Sequence, residues 1–178
     1  IYEEITAELE EGTITTTTFL TKLLRVQQLT GGTAVLDDGT HEHIDDSKEK
    51  VLEHLLTDPP NDDPIVVFAN FHDDPNAIER ATNRLGRRYA ELSGRRDELE
   101  AWQNGDADII GIQIHAGGLG ISCVRANIGI YYSNSYNNGA YEQSVERIHR
   151  PGQQHPVRYF HLIAKDSVDE DVYAALTS

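Results

Sequence analysis

The 178 residues contain no methionine, one cysteine, one tryptophan and only four lysines beside eleven arginines. A solitary Cys123 excludes an internal disulfide framework and leaves no Cys/His spacing for zinc, so it reads as a small buried residue and no metal is assigned. No apolar run approaches the length of a membrane span, and no secretory-type leader is read, so the expectation is a soluble protein of the cell interior. A phosphate loop of the form G-x-x-x-x-G-K-[ST] is missing, as is an acidic D-E-x-H magnesium motif. This chain is therefore not expected to hold ATP and Mg2+ by itself. With no methionine at position 1 and a start inside Ile1-Tyr2-Glu3-Glu4-Ile5, it reads as a fragment of a longer protein.

What is abundant is acid: 30 Asp and Glu against 15 Lys and Arg, a formal charge of -15. A uniformly acidic surface keeps a protein soluble where salt screens self-repulsion, which points to a halophilic prokaryote or its virus, with an ordinary acidic domain as the alternative. Six of the basic residues crowd between Arg80 and Arg96 with Glu91, Asp97 and Glu98 nearby. They read as a solvated, ion-paired face, with a local nucleic-acid patch as the alternative.

The low-complexity run Thr13 to Thr18 permits a strand, and Phe19 to Thr30 a helix closed by Gly31-Gly32. Asp37-Asp38-Gly39 between apolar flanks signals a hairpin, and Ser47 can cap a helix carrying Val51, Leu52, Leu55 and Leu56. From Ile65 a βα rhythm takes over. Strands are expected at 65–68, 109–114, 128–132 and 157–163, and helices from Asp74-Pro75, around 97–103, over 139–149, and from Ser167. Alternation of this kind argues an α/β fold, an open and mostly parallel sheet with helices on both faces. Residues 1–62 read as lead-in helices and hairpin, and 63–178 as the core α/β lobe.

Spacing singles out Gln143 to Gln153. In a helix each residue turns the chain about 100°, so Gln143, Arg147 and Arg150 share one face while Tyr141, Val145 and Ile148 fall roughly opposite. Pro151-Gly152 ends the helix, leaving Arg150 on its last turn or just beyond. Two guanidinium forks held together suit phosphate oxygens; a solvated helix face is the plain alternative. The loop His115-Ala116-Gly117-Gly118-Leu119-Gly120 follows a strand, where open α/β sheets place ligands and glycines admit close backbone approach. A tight strand-to-helix turn would look the same.

The pattern Q-x-x-x-R-x-x-R-x-G-Q, with His149-Arg150-Pro151-Gly152-Gln153, resembles the last motif of superfamily-two helicase-like ATPases of the Snf type. Other stretches match in order: Ile65 to Phe68 with Asn70-Phe71, Leu92-Ser93-Gly94, Ala116 to Ile121, Val157 to Ala164, and Ser167 to Val172. Leu23 to Leu29 and Ser47-Lys48 extend the resemblance over most of the chain. The resemblance implies a RecA-like lobe, the second of two, whose partner is the first lobe of the same polypeptide. That first lobe would carry ATP and Mg2+. It further implies Arg147 and Arg150 as arginine fingers with Gln143 beside them, nucleotide contact at Gly118 and Gly120, and double-stranded DNA contact at Asn70, His72, Gln113 and His115. Gln113, Ile114 and His115 depart from the Ser/Thr-bearing start usual for that loop. The expected activity is ATP-driven translocation along duplex DNA by the two-lobe protein, with this chain alone inactive. Two alternatives stand beside it: a lobe of a strand-separating repair or restriction motor, and a non-catalytic binding module.

Overall fold

The computed structural model describes residues 18–59, 63–116 and 120–178. Residues 13–17 of the threonine run and Gly118 lie outside these. Contacts divide the chain after Asp45. In the first unit, helix α1 (Thr18–Thr30) stops at Gly31-Gly32. Gly32 has φ +93°, and a Cβ there would stand 2.1 Å from the Asp45 carbonyl oxygen. Strands β1 (Thr33–Val35) and β2 (His41–His43) then pair antiparallel, as the Asp37-Asp38-Gly39 turn predicts.

The second unit opens with α2 (Ser47–Thr57). Ser47, expected as its cap, is the first helical residue, with Asp46 at the cap position. The unit continues through β3 (Ile65–Ala69), α3 (Asp74–Arg84), β4 (Tyr89–Leu92), α4 (Leu99–Asn104) and β5 (Ile109–Gln113). It ends with β6 (Ile128–Tyr131), α5 (Asn138–Ile148), β7 (Arg158–His161) and α6 (Val168–Thr177). The five strands make one parallel sheet in the order β4-β5-β3-β6-β7.

Strand β3 shows why the sheet is covered on both sides. All five of its residues are buried. Ile65, Val67 and Ala69 join Leu52 and Leu56 of α2 and Ala77, Ile78 and Ala81 of α3 in one core. Val66 and Phe68 point the other way, into a core with Trp102 of α4 and Ile148 of α5. A continuous apolar run is what such a doubly covered strand requires. Helix α2, grouped by the sequence with the lead-in, thus contributes to the core of the second unit.

Strand β4 was not expected, because Tyr89-Ala90-Glu91-Leu92 is short and carries a carboxylate. Glu91 is nevertheless fully buried. It accepts hydrogen bonds from Ser93 Oγ and the Arg95 guanidinium, and its backbone carbonyl accepts from Glu98 N at 2.9 Å as the chain folds back along this edge.

Candidate functional site

Because the five strands of this sheet are parallel, their carboxyl ends lie along one edge, and the segments after β3, β5 and β6 are neighbours there. Helix α5 returns past that edge. It begins where the Asn137 side chain accepts from Ala140 N at 3.0 Å, and ends at Ile148, ahead of Pro151. Arg150 therefore lies just beyond the helix. Ile148 is fully buried, and Tyr141 and Val145 are partly buried against the same core, as the spacing predicted.

Arg147 does not share the exposed face with Gln143. It is 9% exposed, next to the buried Ser144 and Ile148, while Gln143 and Arg150 are exposed. The reason lies in reach: Arg147 sits at the margin of the buried arc, and its long stem carries the guanidinium under the segment after β5. There Nη2 donates to the Ile114 carbonyl at 3.2 Å. Nη1 is buried without a hydrogen-bond partner among the described residues. Burial pulls its pKa below the usual arginine value.

A cavity of about 600 Å³ opens here, lined by Ile114, His115, Gly120 and Ile121 on one side and by Gln143, Glu146, Arg147 and Arg150 on the other. Arg150 Nη1 reaches the carbonyls of Gly120 and Ile121 at 3.4 and 3.3 Å. Gln153, the last residue of the motif, is a brace: its Nε2 donates to the Ala126 carbonyl at 2.7 Å and to the Val124 carbonyl at 3.3 Å. Glu146, one turn before Arg150, was missed as a lining residue, although helical spacing alone could have placed it.

The structure thus brings Gln143, Arg147, Arg150, Gly120 and His115 around one cavity. Asn70, His72 and Gln113 stand on the same edge of the sheet but do not line it. The His72 side chain is 71% exposed. Among the described residues no group of three or more His, Cys, Asp or Glu is placed to hold a metal ion, and no helix is long and apolar enough to cross a membrane.

The basic run is consumed within the fold. Arg80 and Arg84 pair with the buried Glu49, Arg88 with Asp108, Arg95 with Glu91 and Arg96 with Glu79. Arg87 donates to the carbonyls of Leu56 and Asp63. These are ion pairs and braces between elements, which favours the ion-paired reading over a nucleic-acid patch. By contrast, the two guanidinium groups at the cavity are held by backbone carbonyls.

Residues 47–152 match the helicase conserved C-terminal domain, a match that starts where the second unit starts. The chain belongs to that family. It is a RecA-like C-terminal lobe of the Snf type. The human SWI/SNF-related matrix-associated actin-dependent regulator of chromatin subfamily A member 1 is 31% identical over 144 residues, 75% of this chain and 14% of that protein. The ATP-dependent helicase fft1 of Schizosaccharomyces pombe is 29% identical over 136 residues, 72% of this chain and 14% of that one. The crystal structure of the C-terminal part of the Fun30 ATPase domain aligns with a TM-score of 0.65 at 27% identity, over 72% of this chain and 45% of that one. This lobe thus spans a small part of the curated relatives it matches.

Proposed function

We propose that this lobe completes the ATP site of a two-lobe, DNA-dependent translocase, presenting Arg147 and Arg150 to ATP held with Mg2+ on the first lobe. The observation that carries the reading is the unpaired Nη1 of Arg147, buried at a cavity that Arg150 also lines. An unsatisfied buried donor is costly, and an anionic oxygen entering the cavity would satisfy it. The described residues fit the phosphate end of such a nucleotide and supply no carboxylate cluster for the magnesium.

The chemistry of ATP lies in the γ-phosphoryl transfer to water, whose charge builds on phosphate oxygens. Planar forks fixed at that point stabilise the transition state more than the ground state. Gln143 offers a neutral amide beside them. Asn70, His72, Gln113 and His115, strung along the same edge, would meet duplex DNA, so nucleotide and DNA contacts share one rim of the sheet. This fits the chromatin and helicase names of the relatives.

The test is paired measurement of nucleotide affinity and DNA-stimulated kcat in the intact two-lobe protein. Arg150→Ala is expected to lower kcat by about 10³-fold or more with affinity changed far less. Lysine at 150 should rescue poorly, because an ammonium lacks the planar fork. Near-normal kcat in Arg150→Ala would leave these arginines as structural braces. Arg147→Ala should show the same kinetic loss with little change in unfolding midpoint, since relief of its buried, unpaired nitrogen offsets the lost bond to Ile114 O.

A further inference from the structure

Beyond the strand ends lies a buried hydrogen-bond chain that the ATP cavity does not use. Strands β3 and β6 are neighbours in register, Phe68 opposite Tyr131. One residue past β3, Asn70 N donates to Ser133 Oγ at 2.8 Å. Ser133 Oγ in turn donates to Asp74 Oδ2 at 2.5 Å, and Phe71 N donates to the same carboxylate oxygen at 2.9 Å. Asp74 and Ser133 are each 4% exposed. The adjoining Tyr132 carbonyl accepts from Lys48 Nζ at 3.2 Å, and Lys48 pairs with Asp169 at 2.6 Å, both side chains nearly buried.

We propose that Asp74 and Ser133 are positioning residues for the loop that carries Asn70 and His72, setting how that loop meets the DNA backbone. The proposal rests on the reading of Asn70 and His72 as duplex contacts. Its basis is geometric. The two bonds draw the backbone amides of Asn70 and Phe71 inward, while the His72 side chain remains in solvent. A hydroxyl has one proton and two lone pairs, so Ser133 can receive from Asn70 N and give to Asp74 at once. Alanine can do neither. Asp74 accepts as a carboxylate, which makes these bonds stronger than neutral ones. Lys48 holds the next residue along, so the loop after β6 is a fixed post for the loop after β3 rather than a second moving part.

A loop held in register raises the apparent affinity for duplex without touching the nucleotide. The experiment measures ATP turnover of the intact two-lobe protein against duplex concentration, for Ser133→Ala, Ser133→Thr, Asp74→Asn, Asn70→Ala and His72→Ala. Ser133→Ala is expected to raise the duplex concentration for half-maximal stimulation about tenfold, with DNA-free turnover unchanged, and threonine to restore it. Asn70→Ala and His72→Ala test the reading beneath. If neither shifts the duplex requirement, that reading fails and takes the clamp with it. If they shift it while Ser133→Ala does not, the clamp alone is overturned. Equal loss of DNA-free and DNA-stimulated turnover in Ser133→Ala would mark a merely structural serine and also overturn it. Should Ser133→Ala not fold, Asp74→Asn carries the test: it keeps the shape with a weaker acceptor, is expected to give about a threefold shift, and overturns the proposal if it gives none.

Discussion

A guanidinium kept nine-tenths buried with one nitrogen unpaired carries a desolvation cost, and at Arg147 the bond from Nη2 to the Ile114 carbonyl offsets only part of it. Asp74 presents the same tension with opposite charge. Burial pushes its carboxyl up to about 6 from an ordinary value of 3.8, although Ser133, the Phe71 amide and Lys48 all favour the ionised form. The sign of its pH effect follows. Between those two values the folded state binds more protons than the unfolded state, so this group's contribution to stability falls as pH rises from below 4 to above 6. The change is about 3 kcal/mol for a shift of this size. Asp74→Asn removes the titration. Urea unfolding of both proteins from pH 4 to 7 should therefore show wild type losing ground to the variant as pH rises. Glu49 and Glu91 work in reverse: desolvation opposes ionisation, but their arginine partners win and hold both below the usual glutamate range. Their contribution is lost as pH falls, and it cancels in the comparison of the two proteins. A pH-independent difference would show that Asp74 is solvated in the folded state.

At the scale of elements, what could be read from the chain was what repeats. Ile65 to Ala69 and Ile109 to Ile112 are unbroken apolar runs because helices cover both faces, and run length alone announced them. Helix α5 was placed to within a residue or so, yet the environment of Arg147 was not. A helical wheel assigns an angle from the sequence, whereas a long side chain near the edge of the buried arc goes where an acceptor lies, here the Ile114 carbonyl. Strand β4 and the Asp74–Ser133 bond were illegible for a related reason. Each depends on partners distant in sequence, 59 residues apart in the second case. The loop before Ile121 can be tested at this scale. Gly120 has φ +101° with no described residue within 4 Å of where a Cβ would stand, and its carbonyl accepts from Arg150. Substitution is thus strained by backbone geometry, without a clash. Gly120→Val is expected to cost about 1–2 kcal/mol in denaturant unfolding and to reduce DNA stimulation of ATP turnover by shifting Arg150. A folded variant with full stimulation would make the loop only a turn.

For the molecule as a whole, two electrostatic effects compete, and salt decides between them. Several arginines are tied into ion pairs, among them Arg84 with Glu53 and Arg96 with Glu79, which are partly exposed. Salt weakens such pairs, but each is worth about 0–1 kcal/mol. Against them stands a formal charge of -15, in which 30 carboxylates face only 15 Lys and Arg. Since many of those cations are already spent on particular carboxylates, the remaining acidic groups repel one another across the surface without local compensation. Screening reaches about 10 Å at 0.1 M salt and about 3 Å at 1 M, so molar salt removes nearly all of this long-range repulsion while weakening far less the contacts of Arg80 and Arg95 with the buried Glu49 and Glu91. The repulsion is the larger quantity, and relief of it should win. The unfolding midpoint of the purified chain is therefore expected to rise by about 5 °C or more between 0.1 and 2 M potassium chloride. Sorbitol of matched osmolality, which does not screen charge, serves as the control. A midpoint that stayed level or fell in salt would mean the local ion pairs outweigh the net charge, and would remove the argument for a saline habitat.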